Sequence, residues 1–224
     1  MRIEKLEPSR RKEGRWLVWL EDGTLIRVGE ADVADLGLYR GMELAPEQAE
    51  ELQHAAALGK LKTRALNIVS VRSISRKELV QKLTARPRKP EESEFQPEDA
   101  EIAREELEAR AESVADWLEH LGLLNDEQYA RDVVRWCGEK GYGTRRVRDE
   151  LFRRGVPREL WDEALAELPE AAGQIDAFLS EKLRGRLPEA KEKKRLTDAL
   201  LRRGFPWGEI RAAWSRLGSE LPEE

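Results

Sequence analysis

The chain has 224 residues, of which 40% are hydrophobic and 38% are charged, and its formal net charge is −5 at pH 7. A charged fraction above the globular norm of about 25% favours helices with narrow apolar stripes over one large sphere with a thick core. We expect no membrane span, signal peptide or internal disulfide, because no apolar run approaches about 18 residues, the N-terminus lacks an apolar segment, and Cys137 is the single cysteine. These exclusions favour a cytoplasmic protein.

The sequence predicts β-structure at the N-terminal end. Two β-rich runs, Trp16–Leu20 and Thr24–Val28, flank Asp22-Gly23. An Asp-Gly pair between such runs is a strong hairpin signal, because glycine accepts a positive φ. An earlier strand at Arg2–Leu6 can pair through the polar turn Pro8–Gly14. We therefore expect a small β-hairpin or a three-stranded element.

A short helical turn around Asp32–Leu36 is expected next. Pro46 then suits the first turn of a helix, where its missing N–H costs nothing. This helix is expected to run to about Leu58. We assign residues 1–58 to an N-terminal extension made of a β-hairpin and a helix.

From about residue 60 the pattern becomes helical and repeats itself. Residues 147–157 and 196–206 share the string Arg-Arg-Gly-x-Pro and are offset by a constant 49 positions. A fixed period of this kind is the signature of a repeat architecture. The apolar positions that coincide are Val147/Leu196, Leu151/Leu200, Phe152/Leu201 and Val156/Phe205.

A weaker copy precedes these two. Ser75 and Glu78 form a capping-box pattern ahead of the apolar residues Leu79 and Leu83. The chain then enters an acidic insertion broken by prolines, residues 84–112, before the helical pattern resumes.

Each copy is predicted to contain three short helices. Gly155 and Gly204 can adopt the left-handed conformation that closes a helix. A single unit of this size buries too little surface to be stable alone, so stacked copies in an elongated, curved array are expected. The predicted fold class is mainly α, with three tandem three-helix repeats and a small N-terminal β-hairpin element. The repeats are assigned to residues 60–124, including the insertion 84–112, to residues 125–170 and to residues 171–219.

The insertion 84–112 contains ten acidic and five basic residues, so its charge of −5 equals that of the whole chain. The remainder is near neutral and is able to carry local basic faces. We interpret the insertion as a flexible loop followed by a helix extension, since Glu101–Ser113 has good helix formers. The alternatives are a mimic of polyanionic DNA and a segment that folds against a partner.

The middle helix of every repeat is rich in basic residues. The apolar stripe of each helix should face the repeat core, which puts the bases on the outer side. If the repeats stack in a similar orientation, the three faces form one basic strip that attracts DNA phosphates or an acidic protein surface, and salt weakens that attraction. The candidate binding residues are Arg72, Arg76, Lys77, Arg145, Arg146, Arg148, Arg153, Arg154, Lys193, Lys194, Arg202 and Arg203.

A second interpretation is that these bases are merely solvated. Arg145 and Arg146 each lie four residues before an acid, Asp149 and Glu150, so i,i+4 pairs can absorb their charge. The Arg-Arg pairs at the helix ends also favour the helix macrodipole. The recurrence of basic residues in three repeats favours the binding interpretation.

Most aromatic residues are interpreted as core. Trp117, Trp161 and Trp214 recur at third-helix positions, where buried aromatics supply much apolar area. Tyr129 is assigned to the core as well. The alternative for the tryptophans is base stacking.

No sequence pattern indicates catalysis or a cofactor. His54, His120 and Cys137 have no metal-ligand spacing. Gly141 and Gly143 lack the remainder of a phosphate loop and are interpreted as a turn. No nucleophile motif or catalytic acid pair stands out. We expect a protein that is not an enzyme and needs no metal or cofactor.

Three stretches resemble one known family, the RecX regulators of RecA. Residues 121–130, Leu-Gly-Leu-Leu-Asn-Asp-Glu-Gln-Tyr-Ala, resemble the family signature L-G-x-L-(N/D)-D-x-x-(Y/F)-A. Residues 141–155 resemble its continuation, and residues 73–83 resemble its first-repeat pattern. The resemblance spans about residues 60–217, whereas the insertion 84–112 is longer than the loop expected for the family.

The resemblance implies three tandem three-helix repeats and a regulator that binds the RecA–DNA filament. Such a protein modulates, and mostly inhibits, RecA ATP hydrolysis, filament growth and strand exchange in recombination and DNA repair. Its expected partners are the RecA filament and single- or double-stranded DNA, contacted directly or only within the filament, and it is expected to act as a monomer away from membranes. The alternative is a helical DNA-binding module that acts independently of RecA, a function that three tandem copies with identical turns fit poorly.

Overall fold

The computed structural model describes residues 1–85 and 97–218, with the side chains of the second range described from residue 103 onward. The chain divides into two units, one of Met1–Arg72 with Leu79–Leu121, the other of Ser73–Glu78 with Gly122–Glu224. The first unit contains the N-terminal sheet, and the second contains the two C-terminal repeats.

The N-terminal residues form a three-stranded antiparallel sheet in the order β1-β2-β3, which confirms the predicted β element. The strands are β1 (Ile3–Pro8), β2 (Arg15–Leu20) and β3 (Leu25–Gly29). The predicted Asp-Gly turn joins β2 to β3: Gly23 has a φ of 81°, and the Thr24 amide donates to Asp22 Oδ1 at 2.8 Å. This side-chain acceptor fixes the turn locally.

Two helices complete the core of the first unit beside the sheet. They are α1 (Glu30–Asp35) and α2 (Pro46–Val69). The expected end of α2 near Leu58 was wrong, because the helix continues through Gly59 for a further ten residues. A glycine inside a helix costs only about 1 kcal/mol relative to alanine, and good helix formers follow it.

Two further helices belong to the first predicted repeat, α3 (Arg76–Thr84) and α4 (Pro97–His120). The helix expected in the second half of the acidic insertion is therefore present. Residues 86–96 of that insertion lie outside the described residues.

The second unit contains two consecutive three-helix repeats, which confirms the predicted fold class. In the first of them α5 (Asp126–Glu139) and α6 (Thr144–Arg153) are followed by a 3₁₀ turn that leads into α7 (Trp161–Leu165). The helices of the next repeat are α8 (Ala171–Leu183), α9 (Ala190–Arg202) and α10 (Trp207–Arg216). Each repeat has a separate buried cluster of apolar residues, and the assigned domain boundaries remain predictions.

The helix ends follow the predicted local chemistry. Asn125 Oδ1 accepts a hydrogen bond from the Gln128 amide at 2.9 Å, as expected for an N-cap. Gly155 and Gly204 have φ values of 73° and 89°, so both close their helices in the left-handed conformation. These caps explain where α5 begins and where α6 and α9 end.

The core aromatic residues differ in how far they are buried. Trp214 is fully buried and its indole N–H donates to Thr197 Oγ1 at 3.0 Å. Tyr129 is also buried, while Trp117 and Trp161 are half-buried.

Within the part of the chain that the structure describes, no helix is both long and apolar enough to cross a bilayer.

Candidate interaction surface

The middle helices of the two C-terminal repeats meet end to end through their backbones. The Gly143 amide donates to Arg203 O at 2.8 Å, and the Arg145 amide donates to Gly204 O at 3.2 Å. A Cβ added at Gly143 would lie 2.6 Å from the Gly204 carbonyl, and one added at Gly204 would lie 2.4 Å from the Arg146 nitrogen. The end of α9 therefore approaches the start of α6 so closely that only glycine fits at either position.

The end of α6 makes the corresponding contact with the first turn of α3. Ser75 Oγ donates to Arg154 O at 2.6 Å, and a Cβ added at Gly155 would lie 3.1 Å from Lys77 Cβ. Arg154 and Gly155 lie 49 residues before Arg203 and Gly204, so the same contact is used at the same repeat offset. The carbonyl end of each middle helix thus meets the amide end of the one before it, which aligns their dipoles favourably.

The outer side of α6 combines two exposed arginines with an exposed aromatic ring. Arg145, Arg148 and Phe152 are spaced at i, i+3 and i+7, which places them on one face of the helix. Phe152 is 65% exposed. Neither arginine forms an ion pair with any residue that the structure describes, so the predicted pair between Arg145 and Asp149 is absent.

The adjacent edge of α6 holds three arginines around one buried carboxylate. Glu150 is only 3% exposed and pairs with Arg146 at 3.3 Å, with Arg154 at 3.5 Å, and with Arg153. Burial alone would raise the pKa of Glu150, but the hydrogen bond from Arg153 and the three positive charges outweigh it and hold that pKa below its ordinary value of 4.5. Since three cations share one anion, this edge keeps an excess of positive charge.

Two of these arginines also cover aromatic rings. The Arg146 guanidinium lies 5.7 Å from the Tyr142 ring centre, and that of Arg154 lies 5.3 Å from the Trp136 ring centre. Trp136 and Tyr142 meet edge to face with their centroids 6.0 Å apart. The cation–π contacts fix the two guanidinium groups beside a partly exposed aromatic surface.

The residues of α9 and its C-terminal end that correspond to the surface residues of α6 are arranged less uniformly. Lys194 and Arg202 are exposed, and Leu201, the equivalent of Phe152, is 42% exposed. Arg203 instead lies 4.5 Å from the Phe178 ring centre, and Lys193 lies 5.6 Å from that of Trp214. Only part of the predicted basic face of α9 is therefore free to meet a partner.

The candidate binding residues of the first repeat belong to different structural units. Arg72 lies in the first unit, while Arg76 and Lys77 lie in the first turn of α3, in the second unit. Arg72 and Arg76 each interact with other groups of the protein. Lys77 is exposed and carries the side chain that packs on Gly155.

Sequence reasoning missed Phe152, Leu201, Trp136 and Tyr142 as surface residues. Phe152 and Leu201 were counted as part of the apolar stripe because each follows a buried leucine in an aligned position. Trp136 and Tyr142 lie on α5 and on the turn before α6, so their contact with the arginines depends on tertiary packing. The available signal was the position of Phe152, which lies four residues after Arg148 and seven after Arg145.

Among the residues that the structure describes, no three His, Cys, Asp or Glu side chains come together in a group that could hold a metal ion. The Cys137 thiol is buried, and this burial raises its pKa to about 11. A thiol with this pKa is protonated at neutral pH and is a poor nucleophile.

The fold and the surface together define a class: a tandem three-helix repeat protein that presents clustered cations on its middle helices. Two family descriptions match it, the second three-helix domain of RecX at residues 125–165 and the third at residues 179–214. The regulatory protein RecX of Serratia proteamaculans is 31% identical over 168 residues, which are 70% of this chain and 97% of the relative. The chain belongs to the RecX family of regulatory proteins.

Other relatives extend the similarity to the N-terminal region. The regulatory protein RecX of Clostridioides difficile is 26% identical, and the alignment covers 96% of this chain and 95% of the relative. A crystal structure of regulatory protein RecX matches with a TM-score of 0.69 at 22% identity, over 96% of this chain and 98% of the other. RecX from Lactobacillus salivarius matches with a TM-score of 0.55 at 21% identity, over 72% of this chain and 97% of the other. These structures share the fold.

Proposed function

We propose that this RecX-family regulator binds the RecA–DNA filament and modulates RecA, mostly by inhibiting ATP hydrolysis, filament growth and strand exchange. Membership of the family supports a regulatory role. One structural observation supports the choice of α6 as the binding surface. This observation is the outer face of α6, where Arg145 and Arg148 lie exposed beside Phe152. The action is non-enzymatic, and the protein works in the cytoplasm as a monomer.

This face suits a partner that combines negative charge with flat apolar groups. Phosphates or carboxylates of the filament would pair with Arg145 and Arg148, since guanidinium groups bind both in a planar, bidentate manner. Phe152 would supply an apolar contact beside them. The Glu150 cluster along the same helix adds positive charge and holds three arginines in fixed positions.

The experiment measures DNA-dependent ATP hydrolysis by RecA as this protein is added. The wild-type protein is expected to lower the rate in a saturable manner. The double variant Arg145→Glu/Arg148→Glu is expected to require a concentration at least about tenfold higher for the same effect, which corresponds to a loss of about 1.4 kcal/mol. An unchanged rate with the wild-type protein in ATPase, filament-length and strand-exchange assays would contradict the proposal.

A matched control separates local charge from total charge. Arg10 and Arg11 are exposed residues in the turn between β1 and β2. The variant Arg10→Glu/Arg11→Glu has the same net charge as the α6 variant but leaves α6 intact. It is expected to inhibit RecA like the wild-type protein.

A second candidate function is DNA binding without RecA. The exposed Phe152 beside two arginines favours it, because an aromatic ring beside cations can stack on the bases of single-stranded DNA. Tight binding of an oligonucleotide by the protein alone, together with no effect on RecA, would support this function in place of the first.

A further inference from the structure

A cavity of about 470 Å³ in the first unit opens beside the edge of β3, between α2 and α4. Leu25 and Arg27 line it from the strand, Ala57 and Lys60 from α2, and Leu107 and Arg110 from α4. The cavity has no part in the surface of α6 described above, so a function for it is independent of the proposed function.

One side of the β3 backbone is not paired within the sheet, and residues of this strand line the cavity. β3 is an edge strand, because the sheet order is β1-β2-β3. Leu20 pairs with Thr24 through the hydrogen bond from the Leu20 amide to Thr24 O, so the even-numbered residues of β3 direct their backbone groups toward β2. Leu25 and Arg27 therefore direct theirs away from the sheet, and neither forms a further backbone hydrogen bond with a residue that the structure describes. An open edge of this kind is a template for an added strand.

The charges around the cavity select the kind of strand. Arg27 and Lys60 form no ion pair with any described residue, whereas Arg110 donates to Glu106 Oε2 at 3.0 Å. The Nε atom of Arg110 is buried and lacks a hydrogen-bond acceptor among the described groups. Three cations and one carboxylate leave an excess of positive charge and an unused donor, which acidic side chains would satisfy.

The apolar lining adds a second requirement. Leu25, Ala57 and Leu107 provide no hydrogen-bonding groups from their side chains, so a fully charged ligand would lose its hydration there without compensation. An extended peptide meets both requirements, because alternate side chains of a strand point to opposite faces. Its carboxylates can face the cations while an apolar side chain fills the cavity.

We propose that the groove formed by the β3 edge, α2 and α4 binds an extended acidic peptide of a partner protein as a fourth strand of the sheet. The backbone of Leu25 and Arg27 provides the strand pairing. Arg27, Lys60 and Arg110 provide the charge selection, and the cavity receives an apolar side chain.

The test uses the full chain and a fluorescein-labelled peptide of four Glu-Val units, with binding measured by fluorescence anisotropy. Saturable binding is expected, and a peptide of four Lys-Val units and one of four Glu-Ser units are expected to bind at least about tenfold more weakly. The variant Arg27→Glu/Lys60→Glu is expected to lose affinity for the Glu-Val peptide by a similar factor, while Arg10→Glu/Arg11→Glu retains it. Circular dichroism establishes that both variants are folded.

A second measurement locates the peptide without relying on variants. In ¹⁵N-labelled protein, the amide resonances of Leu25 and Arg27 are expected to shift most on addition of the Glu-Val peptide. Absence of saturable binding, equal binding of the Lys-Val peptide, or shifts confined to other residues would overturn the proposal. Displacement of the peptide from the same amides by oligothymidylate at lower concentration would also overturn it, in favour of a nucleic-acid site.

Peptide binding at this groove and the proposed action on RecA can be tested separately. Arg145→Glu/Arg148→Glu is expected to bind the Glu-Val peptide as the wild-type protein does. Arg27→Glu/Lys60→Glu is expected to keep its effect on RecA ATP hydrolysis in reactions that contain no other protein.

Discussion

Glu150 shows how one buried acid can organise a basic surface. Its carboxylate pairs with three arginines at positions i−4, i+3 and i+4, and Arg153 also donates a hydrogen bond to it. The sequence predicts the pair with Arg146 from its spacing alone. It does not predict that Glu150 is buried, because an acid on a charged helix normally faces the solvent.

Replacing Glu150 by glutamine is expected to lower the free energy of unfolding by about 1–3 kcal/mol at pH 7, because three arginines lose the negative charge that they share. Urea denaturation monitored by circular dichroism measures the change. Asp149→Asn is the matched control, since it removes the same charge from an exposed neighbour and should alter stability by less than about 0.5 kcal/mol. Equal effects of the two substitutions would contradict the role assigned to Glu150.

The contribution of Glu150 should depend on pH with a definite sign. Its folded-state pKa lies below the ordinary value of 4.5, so ionisation favours the folded state. The stabilisation is fully present above that value and is lost as the pH falls through the folded-state pKa. The difference in unfolding free energy between the wild-type protein and Glu150→Gln is therefore expected to shrink below about pH 4.5 and to stay constant from pH 6 to 8. A difference that grew on acidification would have the wrong sign.

Helices in this protein are specified locally, but their contacts are not. The hairpin at Asp22-Gly23 and the helix ends at Gly155 and Gly204 follow from residue type and spacing, and the structure confirms them. The length of α2 was mispredicted, since the helix was expected to end near Leu58 but continues to Val69. The need for glycine at position 143 depends on a neighbour 61 residues later, Gly204, so no local pattern indicates it.

Gly204→Ala is expected to destabilise the protein more than Gly185→Ala does. Both glycines have a positive φ, which costs alanine about 1–2 kcal/mol. A Cβ at Gly185 meets open space, whereas one at Gly204 would lie 2.4 Å from the Arg146 nitrogen. The additional loss at Gly204 is expected to be about 1–3 kcal/mol. Thermal and urea unfolding of the two variants measure it, and similar losses would show that the helix ends do not depend on their close approach.

At the scale of the whole molecule, charge and apolar contact on α6 should affect filament binding in different ways. Each phosphate contact that is lost reduces the dependence of affinity on salt, whereas loss of an apolar contact does not. The site residues were predicted from basic composition, and the structure separates them into exposed cations, such as Arg145, and cations engaged by Glu150 or by aromatic rings.

Arg145→Glu/Arg148→Glu is expected to weaken binding to the RecA–DNA filament and to make its salt dependence shallower. Phe152→Ala is expected to weaken binding with an unchanged salt dependence, and to alter stability by less than about 0.5 kcal/mol because the ring is exposed. Affinities measured at several salt concentrations distinguish the two effects. Identical slopes for the wild-type protein and the arginine variant would contradict a phosphate contact at these residues.

The end-to-end contact between middle helices also has a consequence for the first turn of α9. The incoming carbonyl is bound by Ser75 just before α3 and by Gly143 just before α6, and both residues are small enough to admit it. The residue 49 positions after Gly143 is Glu192, which lies in the first turn of α9 and is held by Arg186 through hydrogen bonds of 2.5 and 2.7 Å. A fourth unit added by the same contact would meet a bulky ion pair in place of a vacant amide. The first turn of α9 is thus occupied by its own side chains and is not open to the contact that the first turns of α3 and α6 make.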